Sequence, residues 1–295
     1  MELKQELKKY QQIVDKELEK YIIKADCPEK QLYQAMEYSV MAGGKRLRPI
    51  LVIATYQLFK ETIEECMPYA VAIEMVHNSS LIHDDLPGID NDDFRHGKPT
   101  NHKQFNEATA ILAGDALQNK PYEIISQDLV NTKLDEMPKK VRVLQEFAQA
   151  IQKMLAGQYV DTQKEGKDIS AEELKYIHQN KTGAFLKLCV RIGAILAEAP
   201  EEQVQKLTNY AEKIGLAFQI KDDILSEEGD EKILGKPVGN DKKLGKCTYV
   251  SQYGLEKAKE ILSQTTKEAI KEVENYGEKA EFLKEFALYI QNRNK

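Results

Sequence analysis

Apolar residues recur along this chain with the period of an α-helix, and this pattern restricts the possible folds more than any other feature. Near the N-terminus the apolar positions lie three, four or five residues apart: Leu3, Leu7, Tyr10, Ile13 and Leu18. Similar spacings return over residues 177–195 and 207–218. The two-residue alternation of a half-buried strand is missing between turn signals. The sequence therefore predicts an all-α protein, one large bundle of about ten or more helices in a single domain over residues 1–295.

Composition excludes several other classes of protein. The chain has 295 residues, 42% of them hydrophobic, which is enough for a sizeable buried core. Its 42 Lys and Arg against 48 Asp and Glu give a net charge of −6 without long blocks of either sign, so no nucleic acid partner is expected. The four cysteines lie far apart, which fits reduced thiols in the cytoplasm. Because the N-terminus is charged, we expect no signal peptide. Because no long apolar run is present, we expect no membrane span.

The densest cluster of ionisable residues is acidic. Five carboxylates fall within ten residues: Asp84, Asp85, Asp90, Asp92 and Asp93. Carboxylates at this density repel one another unless cations neutralise them, and their hard oxygen atoms favour Mg²⁺ or Ca²⁺. Asp84 and Asp90 would lie about 120° apart on an unbroken helix, so they can share an ion only if the helix ends between them. Pro87 and Gly88 supply that break. A loop of solvated acidic side chains is the alternative.

A second acidic pair lies at the end of another apolar helix. One stripe of this predicted helix carries Gly215, Gln219, Asp222 and Ser226. Two carboxylates at the end of an apolar helix are costly unless they are paired or bind a metal. Because both acidic clusters end apolar helices, we interpret them as two walls of one metal-filled cleft. The alternative is that the acidic pair only begins a surface loop, which is predicted over residues 226–245.

Basic residues complete this set. They follow a Gly-Gly pair, lie inside a predicted helix or belong to a Gly-rich loop: Lys45, Arg46, Arg48, Lys181, Lys236 and Lys246. His77 lies seven residues before Asp84, so we expect both on one helix face. Bases and acids around one pocket indicate a polyanion held by cationic donors and Mg²⁺, and diphosphate is the natural candidate. Because no Ser/His/Asp or Cys/His arrangement is visible, departure of a diphosphate is favoured over covalent catalysis.

Seven sequence motifs between Gly43 and Tyr249 resemble those of one known family. In chain order they read GGKRLRP, SLIHDDLPGIDNDD, GKPTNH, LAGDAL, KTG, FQIKDDIL, and GKPVGND with KCTY. In both order and spacing they resemble the trans-isoprenyl diphosphate synthases, and most closely the bacterial farnesyl diphosphate synthases. The resemblance implies an isoprenoid synthase fold with a deep central apolar pocket, a homodimer, and about three Mg²⁺ ions on the diphosphate of an allylic substrate.

The resemblance also implies roles for individual residues. The expected metal ligands are Asp84, Asp90 and Asp222. Contacts to the allylic substrate are expected from Arg95, Lys181, Thr182, Gln219 and Lys236. Carbonyl and hydroxyl dipoles near Lys181, Thr182 and Gln219 would line the position of the allylic cation. Isopentenyl diphosphate would be held by Lys45, Arg48 and His77. The expected catalytic residues are Asp84, Asp90, Lys181, Thr182 and Gln219. The implied reaction is ionisation of the allylic diphosphate, attack by the double bond of isopentenyl diphosphate, and loss of a proton.

Three departures from the family pattern qualify these expectations. His96 stands where the family has a second arginine that contacts isopentenyl diphosphate, so we expect weaker binding of that substrate as the pH rises from 6 to 8. Ser226 replaces the third acid of the second motif. Ser79, followed by Ser80, stands where many farnesyl-producing members have an aromatic floor that limits chain length.

Several functions therefore remain open at this stage. A C15 product is the main expectation and a C20 product is its rival, because a small residue at position 79 leaves a longer pocket. A non-catalytic subunit of a heteromeric prenyl synthase is another alternative, favoured by His96 and Ser226. A metal phosphohydrolase is disfavoured because the chain has only five histidines. In a terpene cyclase, Lys45 and Arg48 would have no second diphosphate to bind.

Overall fold

The computed structural model describes residues 2–22, 26–164, 166–167, 169–228 and 248–294, and these are predominantly α-helical, as predicted. The first helices are α1 (Leu3–Glu19), α2 (Lys30–Val40), α3 (Leu47–Tyr56), α4 (Met67–Asp84), α5 (Asn101–Gln104) and α6 (Glu107–Val130). They are followed by α7 (Met137–Lys164), α8 (Ala171–Ile177), α9 (Ala184–Leu196), α10 (Glu201–Glu228), α11 (Tyr249–Tyr253), α12 (Leu255–Val273) and α13 (Glu281–Asn292). A π-helical turn, His178–Gly183, joins α8 to α9, and a 3₁₀ segment, Glu274–Ala280, precedes α13.

The helix boundaries follow recognisable signals in the sequence. Pro68 lies in the first turn of α4, where its missing N–H costs no hydrogen bond. Helix α10 begins with two acids at Glu201, where the positive end of the helix dipole favours negative charge. The Asn106 side chain accepts a hydrogen bond from the backbone N–H of Thr109 and caps α6. These local rules explain why the helical segments could be read from the sequence.

The core is a layered helical packing in which α3 and α9 are the most apolar members. All of α3 from Pro49 onward is buried, and α9 is almost fully buried between its neighbours. Helix α9 packs against α3, α7 and α10, whereas α4 packs mainly against α6 and α3. Each fully buried aliphatic side chain contributes about 1.5–3 kcal/mol, so these two helices fix the framework on which the ends of α4 and α10 are held.

Two local features differ from the sequence interpretation. A short antiparallel hairpin, β1 (Phe94–Arg95) with β2 (Lys98–Pro99), follows the first acidic cluster. Such two-residue strands are too short to show alternation, so the pattern could not predict them. The loop predicted from Ser226 begins later, because α10 continues to Glu228. The greater part of that predicted loop lies outside the described residues.

The structure also bears on the state of the cysteines and on membrane-spanning helices. Three cysteines of the described residues carry free thiols: Cys27, Cys66 and Cys189. Over the same residues, the helices are either too short or too polar to cross a bilayer. The expected location in the cytoplasm stays a prediction.

Candidate active site

The end of α4 brings Asp84 and Asp90 together through a tight turn. The backbone N–H of Asp90 donates to the carbonyl oxygen of Asp84 at 2.8 Å, and the N–H of Asn91 donates to the carbonyl oxygen of Leu86 at 3.1 Å. The helix ends at Asp84, as the position of Pro87 predicts. The expected break between the two carboxylates is therefore confirmed.

Asp84 occupies an electrostatically strained position. Burial raises the pKa of Asp84 to about 6, with further contributions from the negative charges of Asp90 and Asp85. The positive charges of Lys181 and Arg95 act in the opposite direction and favour the ionised form. The carboxylate thus lies among charges of both signs. A cation beside it would relieve the cost of ionisation.

Arg95 is held by the neighbouring acid of the first motif. Its guanidinium donates from Nε to both oxygens of Asp85, at 2.9 and 2.8 Å, and the Asp85 residue is only 2% exposed. Arg95 comes from β1, so the hairpin sets the position of this cation. The pair fixes Asp85 as the counter-ion of Arg95, which separates its role from that of Asp84.

His96 lies on the same hairpin, in a backbone conformation with φ of 51°. Burial and the positive charges of Arg95 and Arg46 lower the pKa of His96 below 6.5. The expected loss of substrate binding between pH 6 and 8 stays a prediction, and the lowered pKa moves the titration of His96 to lower pH than that of a free imidazole. Any loss of substrate binding through His96 would take place at lower pH than the sequence led us to expect.

Lys181 lies in the π-helical turn between α8 and α9 and forms an ion pair with Asp161 of α7. The distance from its Nζ to Oδ2 of Asp161 is 2.6 Å. Burial lowers the pKa of Lys181, but the charges of Asp161, Asp84 and Asp90 outweigh this effect and raise it. Gly157 permits this arrangement, because a Cβ there would lie 2.4 Å from the backbone nitrogen of Lys181. Asp161 follows one turn later on the same helix and was missed in the sequence.

Gln219 of α10 faces the same π-helical turn. Its Oε1 lies 2.8 Å from Nδ1 of His178, the first residue of the turn. The two segments approach closely at Gly215, where a Cβ would lie 3.2 Å from the Cα of Gly183. Thr182 is half-buried within the turn. Lys181, Thr182 and Gln219 are thus carried by two segments in direct contact, as the motif order implies.

Arg48 and His77 form a second basic pair between α3 and α4. Nη1 of Arg48 lies 3.2 Å from Nε2 of His77. Burial and the charge of Arg48 hold the pKa of His77 well below its usual value, so His77 is neutral and its Nε2 accepts from the guanidinium. Burial also lowers the pKa of Arg48, whose Nε has no hydrogen-bond partner in the described part of the chain. An anion beside this pair would satisfy the buried donor.

The two remaining basic residues of the GGKRLRP motif, Lys45 and Arg46, differ in burial. Nζ of Lys45 lies 5.8 Å from the ring centroid of Tyr289 on α13, and the residue is exposed. Arg46 is buried and binds Asp15 and Glu74 at 2.8 Å each. Arg46 is therefore a structural residue, and the sequence interpretation that placed it with the polyanion-binding group is wrong.

Asp222, near the end of α10, is engaged by an arginine that follows α13. Its Oδ1 is 2.5 Å from Nη2 of Arg293, whose guanidinium also stacks 4.0 Å from the ring centroid of Phe218. The charge of Asp222 still reaches Arg48, where it counteracts the burial that lowers the pKa of that arginine. The neighbouring acid Asp223 accepts a hydrogen bond from the backbone N–H of Tyr249 at 2.7 Å.

The two residues predicted to control product chain length, Ser79 and Ser80, lie within α4. Ser79 is 1% exposed, and its Oγ has no hydrogen-bond partner among the residues that the structure describes. Ser80 is half-buried, and its Oγ donates to the carbonyl oxygen of His77 at 2.9 Å. Lys236, expected on the allylic substrate, falls outside the described ranges, as does Lys246.

The donor set of the first motif suits a hard cation. Asp84 and Asp90 offer carboxylate oxygens at the two ends of one turn, and burial, with a further contribution from the neighbouring carboxylates, raises the pKa of Asp84. Over the described ranges, no three His, Cys, Asp or Glu side chains are close enough to hold a metal ion together. The expected metal-binding role of Asp222 beside Asp84 and Asp90 stays a prediction.

One sizeable cavity adjoins this region. It measures about 470 Å³ and lies beside His178, Gly183, Gly215 and Tyr249, with Asp84, Asp90 and Asp222 outside its wall. Its lining includes several lysines, so it is not the deep apolar pocket implied by the resemblance, which stays a prediction.

Sequence reasoning missed three partners of the predicted site residues: Asp161, His178 and Arg293. Asp161 follows Gly157 in α7, and a helix-interior glycine followed one turn later by an acid is the only local signal of it. His178 lies three residues before Lys181, which is a signal too weak to separate it from a core histidine. Arg293 carries no local signal, because its partner lies 71 residues away in the chain.

Comparison with known proteins identifies the family. The chain matches the family model described as Polyprenyl synthetase over residues 29–286. A farnesyl diphosphate synthase of Bacillus subtilis (strain 168) is 44% identical over 258 residues, which cover 87% of this chain and 86% of the relative. A geranylgeranyl diphosphate synthase of Cyanophora paradoxa is 43% identical over 266 residues, 89% of this chain and 88% of the relative.

Solved structures agree with this assignment. An apo crystal structure of an FPP/GFPP synthase from Zymomonas mobilis matches with a TM-score of 0.87 at 35% sequence identity, and the match covers 98% of both chains. The acidic turn, the lysine of the π-helical turn and the all-α framework are thus features of a chain that belongs to the polyprenyl synthetase family, a prenyltransferase of isoprenoid biosynthesis.

Proposed function

We propose that this chain is a Mg²⁺-dependent short-chain trans-prenyltransferase that condenses isopentenyl diphosphate with dimethylallyl and geranyl diphosphates to give farnesyl diphosphate, and that it acts as a single domain. The observation that carries the proposal is the grouping of Asp84, Asp90 and Lys181, carboxylates and a cation within electrostatic reach of one another. A diphosphate with its counter-ions needs both kinds of group at one place.

Asp84 and Asp90 would hold Mg²⁺ from one side, and Asp222 would join them after exchanging Arg293 for the ion. Bound there, Mg²⁺ would neutralise the negative charge that develops on the departing diphosphate. The raised pKa of Asp84 supports this role, because a carboxylate that is costly to ionise gains most from a cation beside it.

The allylic diphosphate would also be held by protein cations. Lys181 and Arg95 each lie within electrostatic reach of Asp84. Both could therefore contact a diphosphate whose Mg²⁺ is held by that carboxylate. Lys236 is proposed on the same substrate. Each such charged contact would lower the barrier by roughly 2–4 kcal/mol if it strengthens as the diphosphate leaves. Thr182 would line the position of the allylic cation from the π-helical turn.

Isopentenyl diphosphate would bind at the Arg48–His77 pair, with Lys45 and His96 nearby. The buried Nε of Arg48 and the neutral His77 support this assignment, because the pair has donor capacity that no described residue uses. The double bond of isopentenyl diphosphate would attack C1 of the allylic cation, and the proton lost afterwards would pass to the released diphosphate. No protein base is needed for this step.

The relatives of this chain differ in the length of their products. Farnesyl diphosphate is favoured by the farnesyl diphosphate synthase of Bacillus subtilis, and geranylgeranyl diphosphate by the relative from Cyanophora paradoxa. The small Ser79 also supports the longer product, because many farnesyl-producing relatives are expected to have an aromatic floor at this position. We propose C15 as the main product and C20 as the second candidate.

A non-catalytic subunit of a heteromeric synthase is the rival from a different class. Transfer of radiolabelled isopentenyl diphosphate by the purified chain distinguishes the two. The assay uses dimethylallyl, geranyl and farnesyl diphosphates in turn, with Mg²⁺ or with EDTA. Transfer that requires Mg²⁺ supports the proposal, and no transfer to any of the three acceptors overturns it.

We also propose that the chain forms a homodimer through α6 and α7. Large apolar side chains on these two helices are exposed, among them Leu112 at 56%, Leu155 at 41% and Tyr159 at 66%. Exposed apolar residues concentrated on neighbouring helices are typical of a surface that a second subunit covers.

A further inference from the structure

The hydrogen bond between His178 and Gln219 joins the two segments that carry the proposed allylic site. His178 begins the π-helical turn that contains Lys181, and Gln219 lies on α10, three residues before Asp222. Nδ1 of His178 and Oε1 of Gln219 are 2.8 Å apart. The contact therefore fixes one candidate catalytic side chain relative to another segment of the site.

The chemistry of the two atoms gives the bond a direction. The Oε1 atom of an amide only accepts, so Nδ1 of His178 must carry the proton and donate it. Burial lowers the pKa of His178, so the ring is neutral and has this single N–H. Its Nε2 is buried without a hydrogen-bond partner in the described residues, which fits a bare lone pair better than a second N–H.

The ring itself has little freedom to turn. It stacks on Tyr249, with ring centroids 6.0 Å apart and planes inclined by 27°. Tyr249 is in turn tied to α10 through its backbone N–H, which donates to Asp223. The stacking on Tyr249 and the hydrogen bond to Gln219 together hold the ring and its Nδ1–H in place.

This arrangement determines which end of the Gln219 amide is available. Because the carbonyl oxygen is engaged by His178 and no described residue accepts from the NH₂ group, that group can donate to a ligand. An NH₂ group suits diphosphate oxygens, whereas a free carbonyl oxygen would suit the allylic cation. The orientation of one amide thus separates two different roles for Gln219.

We infer that His178 is a positioning residue, which holds the Gln219 carbonyl so that the Gln219 NH₂ group is presented to the diphosphate of the allylic substrate. The inference rests on the proposed function for its substrate. It replaces the expectation that the carbonyl dipole of Gln219 lines the allylic cation. The role of Thr182 at that cation is unaffected.

The kinetic test compares substitutions at one position. His178→Phe keeps a ring on Tyr249 but removes the donor, and it is expected to raise KM for the allylic diphosphate about five- to tenfold, the effect of one neutral hydrogen bond. KM for isopentenyl diphosphate stays within about twofold. His178→Asn, whose amide N–H can replace Nδ1–H, restores most of the loss. Gln179→Ala, at the exposed next residue, is the control and behaves as wild type.

A double-mutant cycle tests whether His178 acts through Gln219. In a Gln219→Leu background, His178→Phe is expected to add less than about twofold to KM, because the group that it positions is already gone. An undiminished effect in that background overturns the inference. An equal rise in KM for both substrates also overturns it, since that result indicates a general distortion of the site.

NMR spectroscopy gives a readout that does not depend on turnover. The imidazole ¹⁵N shifts of His178, assigned by their loss in His178→Phe, should show a neutral ring protonated at Nδ1. With only five histidines in the chain, the assignment is tractable. A ring protonated at Nε2 overturns the inference even if the enzyme is active. An inactive wild-type protein with the Nδ1–H tautomer instead overturns the proposed function and leaves the hydrogen bond intact.

Discussion

Lys181 and Asp161 form an ion pair that connects α7 to the π-helical turn, with the ammonium nitrogen 2.6 Å from a carboxylate oxygen. The same ammonium group lies within electrostatic reach of Asp84 and Asp90. Asp161 therefore holds the cation directly, while the charges of the acidic turn also act on it. A cation held in this way needs little reorganisation to meet an anionic substrate.

Neutralising Asp161 should weaken the allylic site while leaving the fold intact. Asp161→Asn keeps the shape of the side chain but removes the charge that orients Lys181, and we expect kcat/KM for the allylic substrate to fall about tenfold. Steady-state kinetics with each substrate varied in turn measures this. Asp135→Asn, at an exposed loop acid, is the matched control. Unchanged kinetics in Asp161→Asn would show that Lys181 needs no orienting partner.

The ionised Asp84 carboxylate should lower the free energy of unfolding of the metal-free protein. Its pKa is raised from 3.8 to about 6, so the folded state holds this proton more tightly than the unfolded chain. The free energy of unfolding therefore falls as the pH rises through this window in the absence of metal. Asp84→Asn lacks the charge, and at pH 7 in EDTA it should be more stable than wild type by about 1–3 kcal/mol.

Urea unfolding of both proteins at pH 7 and pH 4 measures this difference. The advantage of Asp84→Asn should vanish at pH 4, where the wild-type carboxyl is largely protonated. The same variant should lose prenyl transfer with Mg²⁺ by at least about a hundredfold. An Asp84→Asn protein that is less stable than wild type in EDTA at pH 7 contradicts the assigned electrostatics.

His96 should not titrate in the neutral range. Because its pKa lies below 6.5, KM for isopentenyl diphosphate is expected to be flat between pH 7 and 8. His96→Arg places a permanent charge there and should lower that KM about three- to tenfold. Lys98→Arg, at an exposed position of the same hairpin, is the control. A KM that rises steadily from pH 7 to 8 in wild type but not in His96→Arg would restore the original expectation.

Ser79 should control product length. Ser79→Phe places a large ring at a buried position, and we expect shorter prenyl products at a stability cost of about 1–3 kcal/mol. Product chain length is measured by mass spectrometry. Ser79→Ala removes only the hydroxyl and should leave the product distribution unchanged. If Ser79→Phe is folded and active but makes wild-type products, the pocket floor lies elsewhere.

The oligomeric state should depend on the exposed apolar residues of α6 and α7. Leu112→Glu places a charge on the proposed interface and should convert a dimer to a monomer, as measured by light scattering after size-exclusion chromatography. Tyr253→Glu alters an exposed apolar residue elsewhere and serves as control. A wild-type protein that is monomeric at micromolar concentration rejects the interface outright.

Local features of this molecule were predictable, whereas the pairing between distant segments was not. The end of α4 at Asp84 follows from Pro87 and Gly88, which act within one turn. The pairing of Arg293 with Asp222 joins residues 71 positions apart, and no periodicity encodes it. The sequence also treated Arg46 like Arg48, because burial depends on tertiary packing and not on the motif.

The π-helical turn illustrates the same limit within a single segment. Residues 178–183 continue a helical pattern in the sequence, which gives no sign of the wider winding or of the close packing against Gly157 and Gly215. The lowered pKa of His96 is of the same kind, because it depends on burial and on the charges of Arg95 and Arg46.

The wider winding of residues 178–183 also has a consequence for protein engineering. A π-helical turn contains one residue more than a regular helix needs to cover the same length, so deleting a single residue there would rewind α8 and α9 into one continuous rod. Side chains beyond the deletion would keep their helical phase, whereas those within the turn would lose their present positions. Chimaeras between homologues should therefore exchange this segment whole, with junctions placed in the flanking helices.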